Sequence, residues 1–372
     1  MLEIDLKNRR VLVRSLEKEN EWQEAFDHLM IATGAVPIRP DVPGSDAHGV
    51  FGLHSLQSGI TVRQFVDSEK PQKAVVIGGG YIGLEMAESL IMRDIDVSLV
   101  EQAPQVMNTL DTDMGALVSD ALIGIGINLF REETYQGIEV ANGRVRAVVT
   151  NRRTIPADIV ILGLGVRPNT EIAEHAGIEL GIRKAIKVND RMQTGIPGVW
   201  AAGDCVESFH IVSRRPAHIA LGTIANKQGR VAGINLGGGY ATFPGVLGTA
   251  VSKICEMEVA RTGLQEREIK AIGLDYVAGR IESTTRASYY PGSGKITVKT
   301  LAEKGSGRLL GAQIVGVEGA AKRIDIFAAA LHAGFTVEEM INLDLSYAPP
   351  YSSVWDPVHL AVRRAFASLT GR

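Results

Sequence analysis

Long apolar runs are missing from this chain: none reaches the ~18 residues that a membrane-spanning helix needs. The N-terminus, Met1-Leu2-Glu3-Ile4-Asp5, carries early acidic residues and no apolar segment, so a signal peptide is not expected. Cysteine is scarce. Cys205 and Cys255 are the only two and form no CxxC pair, which leaves no disulfide framework and makes a reducing cytoplasm the expected compartment. An excess of charge is lacking too: 39 Lys plus Arg stand against 42 Asp plus Glu, a net of −3, so neither nucleic acid nor a membrane surface is an expected partner. The eight histidines have no metal-ligand spacing and no HExxH is present.

What is present is ordinary globular composition, 45% hydrophobic and 22% charged, over 372 residues, enough for two or three domains. From Val50 to Gly165 the pattern alternates strand and helix. Ala74–Ile77 reads as a buried strand, Tyr81–Met92 as a helix, Val97–Val100 as a strand and Asp113–Leu122 as a helix. Asn142-Gly143 marks a hairpin turn, and the continuous apolar run from Ile159 to Leu164 suits a sheet covered on both faces. This predicts a doubly wound α/β domain. Ahead of it, Leu2–Val13 reads as a hairpin and His28–Ala35 as a short strand. Behind it, strands at Val277–Tyr290 and Ile296–Thr300 precede a helix at Ala320–Ala333, an α+β order.

The chemistry-bearing motif is Gly78-Gly79-Gly80-Tyr81-Ile82-Gly83, set between strand and helix. In a GxGxxG turn the first glycine makes the tight bend, the second lets backbone approach a pyrophosphate, and the third lets helix and strand pack. The helix N-terminus then stabilises the phosphate charge. Glu101 ends the next strand, 18 residues past Gly83, where a carboxylate accepts from a ribose 2′-OH and repels a 2′-phosphate. NAD(H) is therefore expected over NADP(H). Other features are ambiguous on their own. Asp204, after Val199-Trp200-Ala201-Ala202-Gly203, is equally a turn-initiating Asp. Cys205 reads as a small buried residue. Tyr289-Tyr290 before Pro291-Gly292, and Tyr347-Ala348-Pro349-Pro350-Tyr351, read as packing aromatics.

Taken together, KAVVIGGGYIGLEMAESL, LGLGVRPN, GVWAAGDC, YYPG, EGAAKRID and YAPPYS resemble the flavin-dependent pyridine nucleotide-disulfide oxidoreductases. Within them the chain is similar to the coenzyme A-disulfide reductases and their NADH oxidase and NADH peroxidase relatives. The resemblance spans essentially the whole chain. It implies two Rossmann-like nucleotide-binding domains and a C-terminal α+β dimerisation domain: residues 1–45 and 166–240 for FAD, 46–165 for NAD(H), and 241–372 for the dimer contact. It implies that Thr33, Gly34 and Asp204 lie at FAD, with Ala220-Leu221 placing a helix N-terminus near the flavin. Gly78, Gly80, Tyr81, Ile82, Gly83, Glu101 and Gly165 are then cofactor-binding. Tyr81 resembles the tyrosine that covers the flavin, and Glu85 would sit near flavin and nicotinamide. Tyr289 and Tyr347 match tyrosines that reach the partner subunit's active site, which reverses the packing reading of those rings.

The chain departs from the family's pattern in one respect. Members open with their own strand-GxGxxG-helix for FAD, followed by a redox cysteine, and neither is found here. The expectation is a fragment of an NADH-dependent flavoprotein reductase acting on a disulfide, persulfide, peroxide or oxygen, with no stable FAD of its own. One alternative is a non-catalytic NAD-binding dimer that has lost FAD. The other is a flavin reductase feeding a protein carrier, against which the YYPG and YAPPY motifs argue. The apolar and proline-rich C-terminal segment with Phe327, Leu331, Tyr347, Pro349, Pro350, Tyr351 and Trp355 is expected to form a two-fold contact.

Overall fold

The computed structural model describes residues 1–371 in two units: Met1–Val36 with Val166–Val246, and Pro37–Gly165 with the chain from Leu247 onward. No helix among the described residues is long and apolar enough to cross a membrane.

In the first unit, Glu3–Asp5, Arg10–Arg14 and Glu21–Ala25 form a three-stranded antiparallel sheet, so the expected hairpin is there with a third strand added. Leu29–Ile31 runs parallel to Val199–Ala201, which brings the segments following the two strands side by side. Ile31, Val199, Ala201 and Cys205 are buried in one apolar cluster with Ile186 and Val206. Helix Gly222–Leu236 packs Val231 and Ala232 against Ala202, Phe243 and Val246.

In the second unit the alternating region forms a fully parallel five-stranded sheet. Its order is Val50–Gly52, Ile159–Leu162, Lys73–Ile77, Asp96–Glu101, Asn128–Arg131. Helices Leu56–Glu69, Tyr81–Ile91 and Thr112–Gly124 alternate with these strands along the chain. Val75, Val76, Ile159, Val160 and Ile161 have no exposed surface, which explains why these strands read as unbroken apolar runs. Each such side chain contributes about 1.5–3 kcal/mol by leaving water. Asn142 and Gly143 both have positive φ, 52° and 76°, the geometry of the expected two-residue hairpin turn. The sheet order reverses between Lys73–Ile77 and Ile159–Leu162, and a crevice at such a switch point is where open α/β sheets bind ligands.

The C-terminal part of this unit is a five-stranded antiparallel sheet: Ala250–Ile254, Met257–Gly263, Leu309–Gly316, Lys295–Glu303, Tyr276–Thr284. Helices Ala320–Ala333 and Pro357–Thr370 pack on it. Two expectations need correction. The strand expected over Val277–Tyr290 stops at Thr284, because the Thr285 amide pairs with Gly294 and the Ala287 amide donates to the Pro349 carbonyl. Tyr289 and Tyr290 are thus turn residues rather than cross-strand aromatics. Phe327 and Leu331 are 0% and 4% exposed, so they belong to the chain's own core and add nothing to a surface for a second copy.

Candidate functional site

The glycine turn joins strand Lys73–Ile77 to helix Tyr81–Ile91. Gly78 has φ of 100°, and a Cβ there would lie 2.5 Å from the Gly163 carbonyl oxygen. A Cβ at Gly83 would collide with the Gly78 carbonyl, so helix and turn touch through bare backbone. At Gly80 a Cβ would meet nothing within 4 Å. That open side, in front of a helix whose N-cap has no side-chain partner, is the space a pyrophosphate needs. Gly78, Gly80, Tyr81, Ile82, Glu101 and Gly165 line one cleft of about 410 Å³. Gly83 lies behind it as a packing residue.

Glu101 is buried, and both its oxygens are engaged: Oε2 accepts from the Gly79 amide and Oε1 from the Ala103 amide, each at 2.7 Å. The carboxylate holds the glycine turn in shape and keeps lone pairs for ribose hydroxyls. Spacing alone had pointed to the second role, not the first. Tyr135 and Asn108 also line the cleft but lie off the strand–turn–helix motif, so no spacing rule reaches them. The loop bearing Asn108 is pinned from both sides. The Met107 amide donates to the Gly79 carbonyl at 2.7 Å, Gln265 donates to the Asn108 carbonyl at 3.1 Å, and Arg261 donates to the Thr109 carbonyl at 3.0 Å. The Thr109 hydroxyl donates to the Tyr81 phenol at 3.3 Å, while burial pushes that phenol's pKa up. Glu85 points elsewhere, its carboxylate accepting from the Ser252 hydroxyl at 2.8 Å. These residues fit a dinucleotide with a free 2′-OH.

In the first unit, Thr33 and Gly34 follow one strand of the parallel pair and Asp204 follows the other. The Thr33 hydroxyl donates to the Asn169 carbonyl at 2.5 Å. The Gly203 amide is held by the fully buried Gln228 at 2.9 Å. His218 bonds the Asp204 main-chain oxygen at 2.8 Å, a contact that does not involve the carboxylate. Leu221 caps helix Gly222–Leu236 without a side-chain bond, and Ala220 precedes it. A carboxylate at Asp204 and the uncapped amides that open helix Gly222–Leu236 are groups of the kind the flavin end of FAD needs.

Both cysteines are free and buried. Burial raises the Cys205 thiol, and burial together with the Glu88 carboxylate pushes Cys255 up to about 11. Neither is a thiolate at neutral pH, so neither is a competent redox nucleophile. Tyr289 and Tyr347 come together on the C-terminal sheet domain. The two phenols lie close enough to interact, and Tyr347 pushes the Tyr289 pKa above the usual tyrosine range. Both rings are exposed, 75% and 48%.

Residues 1–229 match the pyridine nucleotide-disulphide oxidoreductase family, and residues 249–358 match its dimerisation domain. The chain is 38% identical to an NADH oxidase of Methanocaldococcus jannaschii over 374 residues, covering 100% of this chain and 82% of that protein. It is 37% identical to an NAD(P)H coenzyme A polysulfide/persulfide reductase of Pyrococcus horikoshii, covering 98% and 80%. Among solved structures, reduced Bacillus anthracis CoADR-RHD superposes with a TM-score of 0.95 at 36% identity, covering 99% of this chain and 66% of that one, just under two-thirds. The chain belongs to the pyridine nucleotide-disulphide oxidoreductases, the FAD- and NAD(H)-using oxidoreductases with a C-terminal dimerisation domain.

Proposed function

We propose that the chain serves an NADH-dependent flavoprotein reductase whose acceptor is a small sulfur compound, a coenzyme A disulfide or persulfide, and that it works as a homodimer in the cytoplasm. The proposed division is 1–45 and 166–240 for FAD, 46–165 for NAD(H) and 241–372 for the dimer contact. When bound, FAD supplies the means of passing an electron pair from NADH to the acceptor. The chain's residues do the rest. Gly78, Gly80 and the helix amides hold the pyrophosphate, and Glu101 accepts from the ribose. Reducing one disulfide to two thiols takes two electrons and two protons; a hydride brings both electrons and one proton. The second proton needs a donor.

The observation that carries the sulfur reading is the Tyr289–Tyr347 pair. It is exposed on the domain matched to dimerisation, and the neighbouring Tyr347 pushes the Tyr289 phenol above the usual tyrosine range. Such a phenol can protonate a departing thiolate at the partner's site. Stopped-flow measurement of the two half-reactions in a full-length, flavin-containing version of the protein is the test. Tyr347→Phe is expected to slow the acceptor half-reaction while leaving the NADH half nearly intact. If Phe at both positions leaves the acceptor half unchanged, peroxide or oxygen becomes the better acceptor reading.

A second reading is favoured by the two buried, high-pKa thiols: a dimer that binds NAD(H) without transferring electrons. The visible flavin absorbance of the purified chain, with and without added FAD, separates the two.

A further inference from the structure

One guanidinium ties together the loops that carry Tyr289 and Tyr347. Arg323, in the first turns of helix Ala320–Ala333, is buried to 11% side-chain exposure. It donates to the Thr285 carbonyl at 2.9 Å, four residues before Tyr289, and to the Tyr351 carbonyl at 2.9 Å, four residues after Tyr347. A third bond goes to the Gly319 carbonyl at 3.1 Å. Its charge is met by Asp356, whose Oδ2 lies 2.9 Å from Nε. Asp356 in turn caps helix Pro357–Thr370 through the Val358 amide at 2.8 Å and accepts from the Ser352 hydroxyl at 2.8 Å. The two loops also touch directly, the Ala287 amide donating to the Pro349 carbonyl at 3.2 Å.

We propose that Arg323, oriented by Asp356, is the positioning residue that brings the Tyr289 and Tyr347 phenols into register for the acceptor step. The inference rests on the sulfur-acceptor reading above and extends it to a pair that touches neither phenol. The argument is geometric. The carbonyl of the buried Thr285 needs a donor. The planar fork of an arginine satisfies several carbonyls at fixed separation, whereas a lysine offers one mobile charge. Arg323 thus sets the distance between the roots of two loops that share no ladder. The phenol–phenol contact is short-ranged and does not survive a shift of those roots. The aligned pair keeps a proton available where one loop alone would present a freely rotating ring.

The test uses the whole chain labelled at tyrosine Cζ with carbon-13. The Tyr289 and Tyr347 resonances are assigned by loss in Tyr289→Phe and Tyr347→Phe. In the unmutated chain Tyr289 is expected to titrate above an ordinary tyrosine, because of its contact with Tyr347. Arg323→Met is expected to return it toward the ordinary value, as Tyr347→Phe does. Arg323→Lys keeps the charge at Asp356 but not the fork, and moves Tyr289 in the same direction; it decides the matter if the Met variant does not fold. In the full-length, flavin-containing version, Arg323→Met is expected to slow the acceptor half-reaction about a hundredfold, the cost of a displaced catalytic group, and to add little in a Tyr347→Phe background. A folded Arg323→Met or Arg323→Lys chain in which Tyr289 titrates as before overturns the inference. If the phenols uncouple yet the acceptor half-reaction is unchanged, Arg323 does position the pair and it is the sulfur-acceptor reading that fails.

Discussion

Replacing Glu101 by Ala separates the turn-holding bonds this carboxylate makes from the ribose contact proposed for it. The side chain accepts two backbone amide bonds at 2.7 Å, from Gly79 and Ala103, and is 8% exposed. Hydrogen bonds to a charged group contribute about 1.5–3 kcal/mol each. The freed amides face a cleft that admits water, so the expected loss of folding stability is at the low end, about 3 kcal/mol in total. Ligand binding responds differently for the two nucleotides. NADH loses a carboxylate–hydroxyl contact worth roughly 1.5–3 kcal/mol, which is about 10- to 100-fold in Kd. NADPH loses no such contact and is relieved of like-charge repulsion, which at 4 Å and an effective dielectric of 20 is about 4 kcal/mol per charge pair before screening. The looser turn offsets part of that relief. The ratio of NADPH to NADH dissociation constants should therefore fall by at least about tenfold. Isothermal titration with both nucleotides gives the ratio, and chemical denaturation gives the stability. Glu101→Gln, which keeps one acceptor oxygen but not the charge, should fall between. A folded Glu101→Ala chain with an unchanged ratio would refute the selectivity argument, whatever happened to stability.

Two further perturbations follow from the buried groups. Cys205 and Cys255 should resist alkylation in the native chain at neutral pH and react only on unfolding, as counted by intact mass; rapid labelling of either would mean that an accessible thiolate exists. Lys299 sits 2.7 Å from Asp113, 2.7 Å from Glu266 and 3.1 Å from Asp111, at 5% side-chain exposure. Lys299→Met leaves three carboxylates facing one another and should cost about 3–5 kcal/mol by denaturant unfolding. Although burial opposes it, the carboxylates raise the Lys299 pKa. The ammonium's stabilisation is thus complete below the unfolded lysine pKa of about 10.4 and is lost only as pH rises through the higher folded value. Stability that the Lys299 cluster supplies should not vary between mildly acidic and mildly alkaline pH, and a fall within that window that disappears in Lys299→Met would contradict the assignment.

The glycine turn was legible in the sequence because a Cβ at Gly78 or Gly83 would collide with backbone and one at Gly80 would fill the ligand's side. Gly83 packs against the Gly78 carbonyl, Gly80 faces open space, and each requirement leaves a letter at a fixed spacing. The parallel strands were legible because burial on both faces leaves no polar alternation. What could not be read depended on partners far along the chain. Nothing local to Lys299 points to Asp111, nor does Arg323 announce that it will meet the carbonyls of Thr285 and Tyr351. The stretch from Val277 to Tyr290 looks like one strand because its residues suit a sheet, and only the pairing of Thr285 with Gly294 ends it. Phe327 and Leu331 mark an apolar helix face, but spacing does not say whether the chain's own sheet or a second copy covers it. Here it is the chain's own sheet. A role for Tyr289 and Tyr347 was suggested by resemblance alone, and no spacing rule points to their meeting, since the two rings come from separate loops.

The most direct test of the central claim, that the cleft at Gly78–Gly83 is an NADH site, is calorimetric titration of the unmutated chain with NADH. The account predicts saturation at one NADH per chain, with NADPH at least about tenfold weaker. No saturable binding, or equal affinity for the two nucleotides, would contradict it.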